Sequence, residues 1–486
     1  MKNSPWKDGK GDVLRELRQA CDEYGLKMGI YLSPWDRNRA DYGQPSYVEY
    51  FRNQLTELLT QYGDIFEVWF DGANGGWGYY GGANEDRSID RATYYGWPET
   101  VALVRRLQPN CIIWNEVGPD IRWCGNEQGS IGETNWNLYD YSAHIPGQPD
   151  NTTLRSGEPG APDFVAGEVN VSIRNGWFYH EFEDLKVKNL SKLMDIYYAS
   201  VGRGATWLLN FPIDRTGRIH PADAKAAKQL NEYLKKAFSD NLASRATVSE
   251  SDSSVTLTFA SPVEMNVVQI EEDISTGQRI KEFSVEAHTH GHWSEIAKGT
   301  TIGNKRIIKF DNIKADAVRL TVHSDAKEYP MPHVSLFRVA PIKVKQEKEV
   351  YFPTRGRWKV ISPVTDDIAL MFDGDKTTKT YIGGSLPLDL VIDLGSRQKF
   401  KGFRYLPDQG DYFLLGIISH YQFNISDDGE HWTTVSGGEF SNIAHNPLWQ
   451  VVRFGKPVSA RYIRFRAVRD TQGWNNFGCA EFDLLK

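Results

Sequence analysis

Four carboxyl groups in the first third of the chain are placed where they could do chemistry. Asp71 follows the apolar run IFEVWF (65–70) and opens a loop of glycines and aromatics, GANGGWGYYGG. Glu116 closes the run CIIWNE (111–116), and Glu127 and Glu133 lie in WCGNEQGSIGETNW (123–136). Where strands are parallel, a carboxylate at a strand's carboxyl end is aimed into a pocket. Two carboxyl groups flanking a glycosidic bond can cleave it, one attacking or activating water and the other protonating the leaving oxygen. Asp71 is the first candidate; its bland alternative is an Asp that caps the next turn. Glu127 is flanked by glycines and stands beside Arg122, Trp123 and Trp136, where burial could raise its pKa towards that of a general acid. The residues alone do not choose among Glu116, Glu127 and Glu133.

Rings and charges crowd two further loops, SPWDRN (33–38) and SIRNGWFYH (172–180). Trp35, Arg37, Arg174, Trp177 and His180 could bind sugar faces and hydroxyls, or equally form surface salt bridges. The 486 residues include 13% aromatics, which suits either a large β core or sugar binding. With 56 Lys and Arg against 63 Asp and Glu the net charge is −7, and no long basic run occurs. That argues against nucleic acid or an anionic membrane surface as partner. No apolar run of about 18 residues predicts a membrane-spanning helix, and the opening residues lack the apolar core of a signal peptide. Cys21, Cys111, Cys124 and Cys479 have no zinc-site spacing. They read as buried and reduced, with a Cys111–Cys124 bridge left open.

The elements that must position these groups change character along the chain. Up to about residue 240, helical patterns (12–24, 47–62, 99–109, 187–201, 221–238) alternate with short apolar runs of strand length (LKMGIYLS, IFEVWF, CIIWNE, FVAGEVNVSI, TWLLNFP). Such alternation predicts a parallel α/β sheet or barrel, and about five strands can be counted. From about 245, short alternating strands take over, the pattern of a β-sandwich. The pattern then repeats after about 347. FSVEAHTHGHWSEIAKG is matched by YQFNISDDGEHWTTVSGG, so that Trp293 answers Trp432.

Taken in order, NSPWKDGKGDVLRELRQACDEYGLKMGIYLSPWDRN, FEVWFDGANG, GPDIRWCGNEQG, GETNW, VSIRNGWFYH and LLNFPIDRTGRIH resemble glycoside hydrolase family 29, the α-L-fucosidases. The resemblance covers about residues 1–240 and points to the subgroup that removes α-1,3- or α-1,4-linked fucose from branched, Lewis-type glycans. It implies Asp71 as nucleophile, Glu127 as acid/base, Trp69 and Tyr31 lining the fucose pocket, and no metal in catalysis. It also implies a periplasmic, secreted or cell-surface location. The family's His-His-Asp-Gly segment is not found, and the chain is expected to begin in mid-barrel. The fold expected is therefore multidomain α/β plus all-β: a (β/α)8-like barrel, N-terminally truncated (1–240), followed by two galactose-binding-like, jelly-roll β-sandwiches (241–346 and 347–486). The alternative function is a glycan-binding protein whose barrel no longer catalyses.

The last segment, from about 350, resembles the coagulation factor 5/8 type C, or discoidin-like, module of carbohydrate-binding module family 32. ALMFDGDKTTKTY, LVIDLGSRQKFKGFRYLPDQG, ISDDGEHWTTV, ARYIRFRAV and CAEFDLL carry the likeness. It implies a structural Ca²⁺ held by Asp373, Asp375, Thr378 and Glu481, oxygen donors that suit a hard cation; an ordinary Asp-Gly turn is the other reading. The first sandwich lacks the Asp-Gly-Asp loop, and its expected task is to pack against the barrel. Trp474, Asn475 and Asn476 offer one ring and two amides for sugar contact. Partners expected are fucosylated glycans.

Overall fold

The computed structural model describes residues 6–72, 78–148, 150–184, 186–342, 352, 355–409, 415–440, 442–444 and 447–486. The glycine-rich loop 73–77 after Asp71 and the expected boundary near 346 lie outside the described residues. The chain divides into two compact units: residues 1–171, 192–208 and 229–340 form one, and 172–191, 209–228 and 341–486 the other.

Helix and strand alternate to residue 237, as periodicity predicts. Helix α1 (Val13–Tyr24) starts at Asp12, whose side chain accepts from the Arg15 N–H, and stops at Gly25, where φ is 65°. Then follow β1 (Gly29–Tyr31), α2 (Pro45–Gln61), β2 (Glu67–Trp69), the hairpin β3 (Gly78–Tyr80) and β4 (Glu85–Arg87), α3 (Trp97–Leu107), β5 (Ile112–Trp114) and β6 (Ile121–Trp123). After these come β7 (Leu138–Tyr139), α4 (Asn151–Ser156), β8 (Asp163–Phe164), β9 (Ala166–Ser172), α5 (Leu190–Ala199), β10 (Thr206–Asn210) and α6 (Pro221–Ala237). Helix α2 buries Tyr47, Phe51, Leu55 and Leu59, four residues apart, while α1 buries only Cys21 and leaves Val13 and Leu17 exposed.

Six strands make one sheet in the order β1-β2-β5-β6-β9-β10, parallel from β1 through β9. This is a half-barrel where a closed barrel of the type has eight strands. Strand β6 escapes sequence pattern because it is three residues long with an arginine at its centre. Ile30, Val68 and Ile113 pair across β1, β2 and β5 and are buried on the helix side. Tyr31, Trp69 and Trp114 pair on the opposite, inner face. The four cysteines are all free and buried.

The remainder is two β-sandwiches of one topology. The first contains β11 (Ala246–Glu250), β12 (Ser254–Glu271), β13 (Ile280–Thr289), β14 (His292–Gly299), β15 (Arg306–Ser324) and β16 (His333–Phe337). Its order is β11-β12-β15-β13-β14, with β16 on β12. The second contains β17 (Lys359–Ser362), β18 (Thr380–Ile382), β19 (Leu388–Leu406), β20 (Ile418–Ser426), β21 (Thr433–Glu439), β22 (Gln450–Asp470), β23 (Phe477–Cys479) and β24 (Glu481–Leu485). Its order is β17-β19-β22-β20-β21, with β24 on β19, the same path. Strands of 18 to 21 residues bend at bulges and serve both layers. The recurrent tryptophans are equivalent too: Arg319 of β15 lies over Trp293, and Arg464 of β22 over Trp432.

The first sandwich meets the barrel through a buried polar seam. Gln278 accepts from the Asn137 N–H at 2.9 Å and donates to the Asn135 carbonyl at 3.0 Å. The Asn135 N–H reaches Thr301 Oγ1 at 2.9 Å. Replacing Gln278 by leucine would leave an N–H and a carbonyl buried without partners. The variant is expected to lose about 2–4 kcal/mol of stability, measured by denaturant unfolding of the whole chain; an unchanged midpoint and slope would show that the seam holds nothing together.

Candidate active site

The inner face of the half-barrel carries a stack of three rings. Tyr31 and Trp69 lie with centroids 5.4 Å apart at 25°, and Trp69 and Trp114 3.7 Å apart at 22°. Register produces the stack, since the three residues pair directly across neighbouring strands. Asp71 lies two residues beyond Trp69, just past the carboxyl end of β2. Its Oδ2 accepts a hydrogen bond from the Tyr31 hydroxyl. Burial and that carboxylate together hold the Tyr31 phenol well above its ordinary pKa, so it stays a donor. Ser33 Oγ donates to the Asp71 carbonyl at 2.7 Å. Gly72 adopts φ 74°, and a Cβ there would stand 3.3 Å from Ser33 Oγ and 3.4 Å from the Trp35 ring. Trp35 is half-buried, with Nε1 donating to the Tyr80 hydroxyl at 2.9 Å. The structure thus gathers Tyr31, Ser33, Trp35, Trp69 and Asp71.

The other carboxyl groups have different surroundings. Glu116, two residues past Trp114, accepts from the Gly147 N–H at 2.5 Å. Burial raises its pKa and the nearby Asp71 charge adds to the rise, while the Gly147 N–H and Arg91 oppose it. Glu127 is half-buried in a loop braced by Asn126, whose amide donates to the carbonyls of Cys124 (3.2 Å) and Ser130 (2.9 Å) and accepts from the Gln128 N–H at 3.0 Å. Glu133 is tied to Arg203 and, at 2.8 Å, to Arg306 of the first sandwich, which makes it part of the framework.

Three residues expected to bind substrate are committed elsewhere. Arg122 is fully buried, and its donors go to the carbonyls of Leu154, Val165 and Trp136 and to Asn135 Oδ1. Burial draws its pKa down to about 10. Trp136 is itself buried, its N–H bonded to the Ser156 carbonyl at 2.7 Å beside the end of α4. Arg174, in the second unit, is fully buried between Asp223 (2.9 Å) and Asp184 (2.7 Å). Arg174 thus takes the salt-bridged alternative, buried rather than at the surface, whereas Arg122, whose donors meet loop carbonyls, reads in sequence like an arginine facing a ligand. Trp123 is half-buried and pairs with Glu168 across β6 and β9. In the second unit, Trp177 accepts through its carbonyl from Asn210, and exposed His180 lines a cavity of about 790 Å³ with Tyr179, Glu181, Asp214, Arg215 and Thr216.

The chain matches known proteins over both of its halves. Residues 2–238 match the α-L-fucosidase family model, and residues 359–482 the F5/8 type C domain model. Alpha-L-fucosidase 1 of Arabidopsis thaliana is 35% identical over 372 residues, covering 69% of this chain and 71% of the relative. The chain belongs to the α-L-fucosidase family, glycoside hydrolase family 29. A crystal structure of a family 29 member from an unknown rumen bacterium aligns with TM-score 0.69 at 43% identity, covering 100% of this chain and 84% of that one. A Ruminococcus gnavus family 29 fucosidase in complex with fucose aligns with TM-score 0.59 at 26% identity, over 69% of this chain and 76% of that one.

For a glycoside hydrolase of this family, the inner face holds two carboxyl groups that sequence reading passed over. Glu168 of β9 is 4% exposed and Glu67 opens β2. Glu67 Oε1 is buried with no hydrogen-bond partner. Burial, reinforced by the Glu168 charge, pushes the Glu67 carboxyl up to about 8. The signal was present in the alternation of FEVWFD and AGEVNVS, which puts Glu67, Trp69 and Asp71 on one face, and Glu168, Asn170 and Ser172 on one face.

In the F5/8 type C module the donors of the expected cation site are hydrogen-bonded among themselves. Asp373 Oδ2 accepts from Thr378 Oγ1 at 2.8 Å, and Glu481 Oε1 from the Gly374 N–H at 2.6 Å. Burial raises the Glu481 pKa, Arg355 and the Gly374 N–H oppose the rise, and the neighbouring Asp373 adds to it. Glu481 Oε2 is buried without an aligned hydrogen bond, although Arg355 Nη1 is 2.7 Å away. The Asp375 carboxylate turns to Thr377, while its carbonyl meets the Thr378 hydroxyl at 2.9 Å. Among the described residues no three acidic, His or Cys side chains converge. The set fits a hard cation through two carboxylates, a hydroxyl and carbonyl oxygen. In the loop expected to bind sugar, Trp474 is 57% exposed, whereas Asn476 is bonded to the Gly384 N–H.

Glu67 generates a pH prediction. Its folded pKa, about 8, stands above the ordinary 4.5, so the folded state holds a proton the unfolded chain releases. The wild type should therefore lose stability as pH rises from about 4.5 to about 8. Glu67→Gln should escape that loss. The two proteins should melt alike near pH 4, the variant's advantage should grow to about pH 8, and it should then level off. A constant difference across pH would refute the buried, protonated Glu67.

Proposed function

We propose that this chain is a retaining exo-α-L-fucosidase that removes α-1,3- and α-1,4-linked fucose from branched, Lewis-type glycans. The observation that carries the reading is Asp71 at the carboxyl end of β2, its carboxylate held by Tyr31 beside the Trp69 ring in a member of the fucosidase family. Asp71 attacks the anomeric carbon while Glu127 delivers its proton to the leaving oxygen, and the bond to the departing sugar breaks. Water then attacks the same carbon of the glycosyl ester, Glu127 takes the water's proton, and Asp71 is released. Two inversions give retention, which needs carboxyl groups about 5–5.5 Å apart. The hydrogen bond from Tyr31 supports an oriented carboxylate at Asp71, and the Asn126-braced loop supports a fixed acid at Glu127. Tyr31, Trp35, Trp69 and Trp123 are assigned to the sugar. A second reading, a glycan-binding protein that no longer catalyses, is favoured by the six-stranded sheet.

Hydrolysis of an aryl α-L-fucoside followed by NMR separates these readings. α-Fucose should appear first, and Asp71→Ala should lower kcat/KM about a thousandfold or more. Glu127→Gln should lose far more activity on poor leaving groups than on a dinitrophenyl fucoside, which needs no proton. If Glu116→Gln shows that pattern instead, the acid/base is Glu116. First release of the β anomer would sink the mechanism, and release from α-1,2 linkages alone would sink the linkage assignment. No turnover with retained glycan binding would favour the second reading.

We further propose a structural Ca²⁺ held by Asp373, Thr378, Glu481 and Asp375, the last through its carbonyl. An ion that binds only the folded module stabilises it by about 2.7 kcal/mol when free calcium is a hundredfold above Kd. A chelator should lower the melting temperature of the module's transition and leave aryl-fucoside turnover nearly unchanged. Asp373→Ala should melt like the chelated protein and ignore the chelator. A melting profile indifferent to chelator would remove the ion from the account.

A further inference from the structure

The proposed chemistry leaves Glu168 without a task, yet its surroundings are built around it. Its Oε1 accepts from Trp69 Nε1 at 3.2 Å and from Asn170 Nδ2 at 2.7 Å, and its Oε2 from Thr206 Oγ1 at 3.3 Å. Burial raises the Glu168 pKa, and the Trp69, Asn170, Thr206 and Trp114 donors oppose the rise, Trp114 Nε1 without an aligned hydrogen bond. These donors are indoles, an amide and a hydroxyl, none of them charged. A carboxylate held in the interior by neutral donors alone is costly compared with an apolar side chain of the same size. What it supplies is direction. A ring that only stacks can slide and turn within its own plane, whereas a hydrogen bond at its edge removes that freedom. Trp69 is the middle ring of the stack, between Tyr31 and Trp114, and Tyr31 donates to Asp71.

We propose that Glu168 is a positioning residue: by accepting the Trp69 indole N–H it fixes that ring, and the stack passes the constraint to Tyr31 and so to Asp71. The proposal rests on the reading of Asp71 and Trp69 as the sugar site. Glu168 itself touches neither sugar nor nucleophile in this account.

A double-mutant cycle tests it. Glu168→Gln keeps the shape and removes the charge, and Trp69→Phe keeps a ring and removes the N–H. Glu168→Gln should lower kcat/KM on an aryl fucoside about tenfold to a hundredfold, the scale on which misplaced groups cost rate. In the Trp69→Phe background the same change should do almost nothing. The near-ultraviolet circular dichroism of the stacked indoles should change in Glu168→Gln while far-ultraviolet signal and melting temperature hold. Additive losses, or full activity in Glu168→Gln, would overturn the proposal. Should Glu168→Gln fail to fold, Asn170→Ser is read instead. It loosens the same carboxylate oxygen and should give a smaller loss that again vanishes without the Trp69 N–H; independence from that N–H would overturn the proposal. If Asp71→Ala keeps activity, or the wild type has none, the site reading fails separately. The near-ultraviolet signal then still decides, an unchanged spectrum showing that Glu168 does not hold the ring.

Discussion

Side chains on a strand alternate between two faces, and in the half-barrel this alternation ties the core to the chemistry. Ile30, Val68 and Ile113 pair across three strands and are buried against α2 and α3. Their burial fixes the register, because a slip of one residue would turn every apolar group away from the helices. Once the outer face is fixed, the inner face has no freedom left. Tyr31, Trp69 and Trp114 must stack, and Asp71 and Glu116 must follow two residues later on the same face. The aromatic wall and the two strand-end carboxyl groups therefore follow from packing on the side they do not touch.

The same face is acidic in a particular way. Glu67, Asp71, Glu116 and Glu168 occupy it, and the hydrogen bonds around them come mainly from indole, hydroxyl, amide and backbone groups. The large guanidinium groups of Arg122 and Arg174 are locked among carbonyls and carboxylates in their own packing. Negative charge on this face suits a reaction whose transition state is oxocarbenium-like and positive. Burial in that face disfavours the charge of Glu67, and the Glu168 carboxyl nearby adds to the effect, which is why the Glu67 pKa is raised.

What sequence revealed followed from period and ending. Alternating helix and strand, the switch to short strands, and Asp71 at a strand end were all legible, because each depends on local pattern. The inner carboxyl groups were hidden for a physical reason. In EVW and AGEVNVS a glutamate among apolar neighbours looks like the solvent face of a strand, and a local pattern does not show that Glu168 lies 4% exposed beside the Trp69 ring. Arg122 and Trp136 differ in the opposite sense. A loop rich in arginine and tryptophan has one appearance in sequence, whether its donors meet a sugar or the carbonyls that fold the loop.

The two sandwiches show how one frame accepts different closures. In each, the last strand pairs with the far half of a long bent strand, so its first residue is held only at long range in sequence. The first residue of β16 is His333, paired with Glu271; that of β24 is Glu481, paired with Leu406. In the first sandwich Asn241 pins the closing strand, donating to Ser335 Oγ at 3.0 Å and accepting from the Leu336 N–H at 3.1 Å. In the second, the Gly374 N–H reaches Glu481 and brings the Asp373 carboxylate alongside it. The Asn241 amide, which also accepts from the Ala243 N–H, is neutral and needs no compensating charge. Glu481 beside the Asp373 carboxylate is different, since burial and that neighbour raise the cost of its charge. The second closure therefore calls for a positive charge where the first does not. Arg355, 2.7 Å from Glu481 and 3.1 Å from Asp483, brings a positive charge to the closing strand.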